Sequence, residues 1–316
     1  MNVLITGGFG FVGGRLAITL SGRLDARVFL GSRAIRQAPS WLPEATPVQT
    51  DWGSTDKLDE VLRGIDLVVH LATMNAAAAA RDPEKAVTVS GDQIARLLES
   101  AKRQEVARLI YLSTAHVYGE LSGRIDEEMN PEPRHPYAES HRVAERAVLA
   151  SAPEEGATGV VLRPSNAFGA PVKPDTDCWT LVVNDLCRQA VTTGELRLHA
   201  PQMQRRDFIT MTDLCRAVLH VIQTPDESLG DGIFNVGGDW APTTLQMAER
   251  IQRCCTAVLG AEPEIITNMA DPDEIPPPLE FCIDKMGGTG FELFQNWDEE
   301  LEELLLFCQA NFGGHA

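Results

Sequence analysis

The chain has 316 residues, of which 44% are hydrophobic and 23% charged, so it has room for one large α/β unit or for a core domain with a smaller cap. Its formal net charge of −18 at pH 7 disfavours nucleic acids and anionic membranes as partners, because both would repel it. The sequence has no signal-peptide pattern and no apolar run long enough to cross a bilayer, and its seven cysteines lack the Cys-x-x-Cys spacing of zinc sites. We therefore expect a cytoplasmic protein with reduced thiols and no metal site.

The first half of the chain alternates short β-branched runs with amphipathic segments, which predicts a parallel sheet covered by helices on both faces. The predicted strands are 3–6, 27–30, 66–71, 108–113 and 159–163, and the predicted helices are 11–20, 55–63, 93–103 and 137–150. The run of five alanines at 76–80 is expected to be a loop or the start of a helix.

After residue 164 prolines and glycines become more frequent. The predicted elements of this part are helices 179–193 and 297–308, short strands near 196–199 and 233–236, and an exposed loop at 271–278. The change predicts a doubly wound sheet domain at 1–166, with a returning segment near 205–238, followed by a smaller domain that makes up most of 167–316.

A glycine-rich turn joins the first predicted strand to the first predicted helix. It contains Gly7, Gly10 and Gly13, and Phe11 and Val12 open the helix. Such glycines permit a tight turn and close approach of the backbone to a pyrophosphate, while the helix N-terminus offers N–H groups and a positive dipole to the anion. The turn alone is a weak signal, but its place between a strand and a helix favours dinucleotide binding.

The end of the second strand indicates which dinucleotide is preferred. An acidic residue there binds the ribose 2′-hydroxyl of NAD, whereas an arginine accommodates the 2′-phosphate of NADP. Here the chain has Ser32 and Arg33, with Arg36 following and no acid, which favours NADP(H) over NAD(H). The alternative is that both arginines are solvated loop residues.

Two longer motifs follow in the first half of the chain. The first runs Ser113-Thr114-Ala115-His116-Val117-Tyr118-Gly119, and the second runs His135-Pro136-Tyr137-Ala138-Glu139-Ser140-His141. With the glycine turn and with segments 163–169, 206–209, 234–238 and 284–285, they resemble the extended short-chain dehydrogenase/reductase superfamily over nearly the whole chain. The resemblance implies a Rossmann-type doubly wound parallel sheet with a C-terminal α/β substrate-binding cap.

The resemblance also implies the residues of the site. The catalytic residues would be Thr114, Tyr137 and His141, with His141 in the place of the family's lysine. The cofactor would be bound by Gly7, Gly10, Phe11, Val12, Gly13, Ser32, Arg33, Arg36, Asp51, Trp52, Leu71, Ala72, Thr73, Tyr137, His141 and Pro164. The substrate would be bound by Thr114, His116, Asn166 and Arg206, of which Asn166 and Arg206 match positions that meet a diphosphate. The alternative for Arg206 is a structural ion pair with Asp207 or Asp213.

The absent lysine matters for the chemistry that the resemblance implies. Tyrosine can act as the acid or base, but its free pKa is about 10, and the family's lysine cation lowers that value. An unperturbed imidazole has a pKa of about 6.5 and is mostly neutral at pH 7.5. His141 therefore either becomes charged in the complex and replaces the lysine, or stays neutral and only positions the cofactor ribose. Ser90 likewise stands where the family usually has an asparagine on a proton path to the lysine.

The chain is thus predicted to be an NAD(P)-dependent enzyme that acts at C4 of a nucleotide-diphosphate sugar, as a 4-keto reductase or a 4-epimerase, in surface polysaccharide or glycoconjugate biosynthesis. Family dehydratases carry an Asp-Glu pair after the catalytic threonine, where this chain has Ala115 and His116, so a dehydratase is the less favoured alternative. A catalytically impaired NADP(H)-binding regulatory module is another. Because the family pairs through helices near Leu97 and Tyr137, we expect a homodimer.

Overall fold

The computed structural model describes residues 1–150, 156–199, 202–267 and 277–314. Its strands are β1 (Asn2–Thr6), β2 (Arg27–Ser32), β3 (Thr46–Gln49), β4 (Leu67–His70), β5 (Arg108–Leu112), β6 (Gly123–Ile125), β7 (Thr158–Pro164), β8 (Asn166–Phe168), β9 (Glu195–Arg197), β10 (Phe208–Thr210), β11 (Ile233–Val236), β12 (Glu264–Ile266) and β13 (Leu279–Phe281). Its helices are α1 (Phe11–Arg23), α2 (Thr55–Leu62), α3 (Ala76–Arg81), α4 (Pro83–Arg103), α5 (Pro136–Leu149), α6 (Val182–Thr192), α7 (Met211–Gln223), α8 (Thr244–Leu259), α9 (Asp284–Gly287) and α10 (Trp297–Phe312). No helix in these ranges combines the length and the apolar character needed to cross a bilayer.

Seven parallel strands form the main sheet in the order β11-β7-β5-β4-β1-β2-β3. The chain runs outward from β1 to β2 and β3 on one side, and from β4 to β5, β7 and β11 on the other. Strand order therefore reverses between β1 and β4, and open α/β sheets bind ligands at the carboxyl ends of the strands beside such a reversal. The predicted doubly wound parallel sheet is confirmed.

Both faces of the sheet are buried, as the near-continuous apolar strands require. On one face α1 and α7 pack over the sheet through residues such as Leu16 and Leu214. On the other face α2, α4 and α5 pack through residues such as Leu58, Ile94 and Val148. The two helical layers hold the strand ends, and with them the glycine turn, in fixed positions.

A third apolar cluster lies in the C-terminal half of the chain. It joins α6, α8 and α10 through side chains such as Leu186, Ile251 and Leu304. Strand β11 instead joins the main sheet, where Ile233 pairs with Val161, in the region predicted to return to the first domain. The predicted loop at 271–278 falls outside the described residues except for 277 and 278.

Candidate active site

A cleft of about 690 Å³ lies at the carboxyl ends of β1, β2 and β4. The residues predicted to bind the cofactor that line it are Gly7, Gly10, Ser32, Arg33, Arg36, Trp52, Leu71, Ala72 and Thr73. Phe11, Val12 and Gly13 instead form the first turn of α1. Asp51 does not line the cleft, and its carboxylate accepts from Gly53 N (3.0 Å) and pairs with Lys57 (2.8 Å).

The turn at the floor of the cleft fits a pyrophosphate. Gly7 has a φ of +69°, and Gly10 N donates to Gly7 O at 2.9 Å, which closes the tight turn. A Cβ on Gly13 would lie 2.4 Å from Gly7 O, so this position must be glycine for α1 to approach β1. The first turn of α1 has neither a side-chain cap nor an acidic residue, which leaves its positive end available to an anion.

Four cationic side chains also line this cleft: Arg33, Arg36, Lys85 and Lys173. None of them forms an ion pair with a described residue. Arg36 Nε donates to Ser32 Oγ at 3.2 Å, and its guanidinium lies 4.8 Å from the centre of the Phe9 ring. Neither lysine was among the predicted site residues, because both reach the cleft from segments far from the glycine turn and belong to no motif.

Tyr137 and His141 are one turn apart on α5, and both are held beside the end of β5. Pro136 occupies the first turn of the helix, and His135 Nδ1 accepts from Tyr137 N at 3.2 Å. The rings of Tyr137 and His141 meet edge to face, with centroids 4.5 Å apart. Thr114, which follows β5, hydrogen-bonds to the Tyr137 hydroxyl. The structure therefore brings the three predicted catalytic residues together.

The Tyr137 phenol is neutral at physiological pH. The surrounding protein desolvates the hydroxyl and raises the pKa of Tyr137 to about 12, while the Thr114 hydroxyl acts in the opposite direction. The group is thus a proton donor at pH 7 and becomes a base only at strongly alkaline pH, unless a positive charge is brought close to it.

His141 is buried, with 2% of its surface exposed. Its Nδ1 lies 2.7 Å from the Tyr111 hydroxyl, whereas its Nε2 has no hydrogen-bond partner among the described residues. Burial lowers the pKa of His141 to about 4, with the Glu145 carboxylate acting in the opposite direction. Of the two roles predicted for this histidine, the geometry favours the neutral one.

A buried ion pair anchors α5 one turn beyond His141. Glu145 accepts from Arg163 Nε (2.9 Å) and Arg163 Nη2 (2.8 Å), and also from Ser113 Oγ (2.7 Å). Neither partner of the pair exposes more than 1% of its surface. The pair fixes α5 against β5 and β7, and so fixes the distance of His141 from Tyr111. Glu145 was not among the predicted site residues, although the i, i+4, i+8 series of Tyr137, His141 and Glu145 placed all three on one helix face.

A second pocket, of about 240 Å³, is lined by the predicted substrate residues His116, Asn166 and Arg206. It adjoins the catalytic residues, since His116 N donates to Thr114 Oγ1 at 3.3 Å. Asn166 Nδ2 donates to Asp207 O at 2.8 Å, which joins the two segments that form the pocket wall.

Arg206 forms no ion pair with a described residue. Its guanidinium is half-buried and donates from Nε (3.2 Å) and Nη2 (2.8 Å) to Gln204 Oε1. The two candidate acids are engaged elsewhere: Asp207 accepts from the backbone of residues 238 and 240, and Asp213 pairs with Arg216. The structural ion pair considered for Arg206 is therefore absent.

Comparison with known proteins gives the family. The profile of the NAD dependent epimerase/dehydratase family matches residues 3–237. The chain belongs to this family. The resemblance to the extended short-chain dehydrogenase/reductase superfamily is thereby confirmed.

Relatives and structural neighbours extend over most of the chain. A dTDP-glucose 4,6-dehydratase of Streptomyces niveus is 27% identical over 81% of this chain and 78% of its own. The low-salt glycan biosynthesis protein Agl12 of Haloferax volcanii is 25% identical over 96% of both chains. The structure of the UDP-glucose 4-epimerase of Thermotoga maritima with UDP-glucose has a TM-score of 0.80 at 21% identity, over 98% of this chain and 99% of its own, and so shares the fold.

Proposed function

We propose that this family member is an NADP(H)-preferring oxidoreductase that acts at C4 of a nucleotide-diphosphate sugar, and that it works as a 4-keto reductase. The observation that carries the substrate class is the half-buried Arg206 guanidinium, which lies beside Asn166 in the second pocket and forms no ion pair with the described residues. Desolvation of a guanidinium is costly unless an anion compensates it, and its planar fork matches phosphate oxygens. The names of the relatives, which are enzymes of nucleotide sugars and of glycan biosynthesis, support the same class.

The cofactor would lie in the first cleft. The turn from Gly7 to Gly13 and the start of α1 would hold its pyrophosphate, and Arg33 and Arg36 would receive the 2′-phosphate of NADP. Lys85 and Lys173 would add positive charge along the same cleft. A nicotinamide bound there supplies the redox chemistry at the sugar carbon.

The protonation state of the catalytic tyrosine favours reduction. A keto oxygen that is being reduced needs a proton, and neutral Tyr137, hydrogen-bonded to Thr114, can donate it at pH 7. Oxidation of a sugar alcohol needs the phenolate instead, and neutral His141 does not supply the positive charge that would make the phenolate accessible near pH 7. The chain's own groups are therefore suited to giving a proton to the sugar.

The substrate class is tested by thermal unfolding with nucleotides. Binding to the native state raises the melting temperature by mass action, so at least one of UDP, dTDP and GDP at millimolar concentration should raise it. Arg206→Ala should abolish that shift while the ligand-free melting temperature stays close to the native value. The matched control is Arg197→Ala, which removes an exposed arginine outside both pockets and should keep the shift. No shift with any nucleoside diphosphate would contradict the proposal.

A 4-epimerase is the second candidate, and a contact across the cofactor cleft favours it. Asn75 Nδ2, before α3, donates to Asp177 Oδ2 at 2.7 Å, and both residues line the cleft. Such a bridge would slow the release of a bound dinucleotide, and an epimerase reuses one retained cofactor. Purified protein that contains stoichiometric dinucleotide, and converts a nucleotide sugar without added cofactor, would select this candidate over the reductase.

Two further alternatives are a nucleotide-sugar dehydratase and a regulatory module. The segment after Thr114 carries Ala115 and His116 in place of an acidic pair, so elimination of water from the sugar is disfavoured. A regulatory module would bind NADPH and turn over no nucleotide sugar. A cytoplasmic location stays a prediction of the sequence.

A further inference from the structure

The two nitrogens of the His141 ring lie in different surroundings. Nδ1 is 2.7 Å from the hydroxyl of Tyr111 on β5, while Nε2 is buried and has no partner among the described residues. A neutral imidazole carries its single proton on one of these nitrogens, and the hydrogen bond at the other decides which. The partner of Nδ1 therefore determines what Nε2 can offer to a ligand.

The available protons assign this tautomer. Tyr111 is fully buried and has one hydroxyl proton to donate. The neighbouring hydroxyl belongs to Ser90, which hydrogen-bonds to Tyr111 and donates its own proton to the Ser140 carbonyl oxygen at 3.0 Å. If His141 carried its proton on Nδ1, Tyr111 would have to accept at 2.7 Å and turn its own proton to Ser90. A phenol is a stronger donor than a neutral imidazole N–H, and the imidazole nitrogen is a stronger acceptor than a phenol oxygen, so the arrangement in which Tyr111 donates to Nδ1 is favoured.

We propose that Tyr111 is a positioning residue whose hydroxyl donates to Nδ1 of His141, fixes the neutral ring with its proton on Nε2, and so holds one buried N–H donor beside Tyr137. The inference rests on the proposed cofactor site in one respect: the group expected to accept from Nε2 is the ribose of the bound dinucleotide. In this arrangement a tautomer-locked histidine performs the positioning task of the missing lysine without its charge.

The surrounding charges agree with a neutral ring. The Glu145 carboxylate, one turn away on α5, is neutralised by Arg163 and by Arg142, which lies 3.0 Å from Glu145 Oε2. His116, on the segment after β5, adds no stabilising negative charge, and burial lowers the pKa of His141 to about 4.

The same geometry implies that His141 is not a proton relay. Passing its Nε2 proton onward would require Nδ1 to take the Tyr111 proton, and burial raises the pKa of Tyr111 well above its usual value. The resulting tyrosinate would be buried without a cation to stabilise it. Tyr137 must then regain its proton by a route that does not pass through His141.

The tautomer can be measured in the cofactor-free protein by NMR with ¹⁵N-labelled histidine, with the His141 signals identified by their loss in His141→Asn. We expect a protonated Nε2 and an unprotonated Nδ1 that do not change between pH 6 and pH 9. A proton on Nδ1, or a doubly protonated ring at pH 6, would overturn the proposal. This measurement needs no change at Tyr111 and does not depend on the proposed function.

Variants then test the role of the hydroxyl. Tyr111→Phe should mix the tautomers and raise the Kd for NADPH about three- to tenfold, as expected for one neutral hydrogen bond. The control is Thr224→Val, which removes another buried hydroxyl, bound to the His220 carbonyl oxygen at the end of α7, and should leave the His141 tautomer unchanged. An unchanged tautomer in Tyr111→Phe would refute the lock. A native protein with the expected tautomer and no affinity for NADPH would refute the cofactor proposal and leave the lock standing.

Discussion

At the scale of single residues, the site combines a tyrosine and a histidine that are both neutral at pH 7. Burial raises the pKa of Tyr137 to about 12 and lowers the pKa of His141 to about 4, in each case by disfavouring the charged form. A lysine at position 141 would bring a positive charge to the phenol, which the histidine does not. Histidine in place of lysine at position 141 therefore favours reduction of the sugar over its oxidation in the proposed reaction.

The first prediction concerns the pH dependence of His141→Lys. A cation about 5 Å from the phenol, at an effective dielectric of about 20, stabilises the phenolate by about 3 kcal/mol, or roughly two pKa units. In the oxidative direction the native rate should climb into the alkaline range, and the variant profile should lie about two units lower in pH. The measurement is kcat/KM against pH with a nucleotide sugar and oxidised cofactor.

Two variants serve as controls for that profile. Ala150→Lys adds the same charge at the exposed end of α5 and should leave the profile in place. Tyr137→Phe should remove turnover but keep cofactor affinity. A native profile that falls above the ordinary histidine pKa would instead mean that protonated His141 supports the reaction.

The second prediction concerns the choice of cofactor at the end of β2. Arg33 and Arg36 are exposed at the rim of the cleft without ion-pair partners among the described residues, so a 2′-phosphate meets no competing acid there. NADP(H) should bind at least several-fold more tightly than NAD(H), and Arg33→Asp should reverse the order. Calorimetric titration with both cofactors measures this. Arg63→Asp, at an exposed position outside the cleft, should keep the native order, and a native preference for NAD would contradict the proposal.

At the scale of elements, the sequence predicted the strands and helices that have a regular apolar pattern and recognisable residues at their ends. The predicted bounds of the central strands lie within two residues of the observed bounds, because their side chains are buried on both faces and form continuous apolar runs in the sequence. The predicted start of α4 was wrong, because the helix begins at residue 83 and not at 93. Asp82 as N-cap and Pro83 in the first turn are a start signal that the prediction did not use. The five alanines, predicted to be a loop or the start of a helix, form α3 together with Arg81, and its N-cap is Asn75.

Other elements carried too little local signal. Strand β3 is a four-residue edge strand that contains Pro47 and has no fully buried residue, so neither alternation nor β-propensity identified it. Helix α8 has a capping box formed by Thr243 and Gln246, a signal that was present but not used. The contact between Tyr111 and His141 could not be predicted, because it depends on how closely α5 packs on β5.

The third prediction concerns α4 and α5, which pack against each other on one face of the sheet. We propose that their outer faces form the contact of a homodimer. The exposed large hydrophobic side chains of the described residues lie on other elements, so this contact would use small and charged residues such as Ala95, Glu99 and Arg146. Light scattering at micromolar concentration should give a dimer for the native protein and a monomer for Ala95→Glu. Ala310→Glu, at an exposed position of α10, should stay dimeric, and a monomeric native protein would contradict the proposal.

At the scale of the whole molecule, two buried neutral histidines link stability to pH. His70 and His141 lie on either side of Tyr111, with ring centroids 5.8 Å and 5.6 Å from its ring. Burial lowers the pKa of His70 to about 3 and that of His141 to about 4. In the unfolded chain both should titrate near 6.5, so between about pH 6.5 and pH 4 the unfolded state binds more protons than the native state.

The last prediction follows from the sign of that difference. Stability contributed by these groups is complete above about pH 6.5 and is lost as the pH falls towards 4, by an amount on the order of 3 kcal/mol for each histidine. That is a large part of the unfolding free energy of about 5–15 kcal/mol that is typical of a native protein, so the chain should unfold in mild acid. This should hold even though protonation of its carboxylates relieves the repulsion within a molecule of net charge −18.

Urea unfolding at a series of pH values measures how the free energy of unfolding depends on pH. His70→Gln should lower stability at pH 7 but flatten its dependence between pH 6.5 and 4, because a group that cannot be protonated has replaced one that resists protonation. His199→Gln, at an exposed position, should keep the native slope. If His70→Gln and the native protein lose stability in parallel over this range, the buried histidines are not the cause of the acid sensitivity.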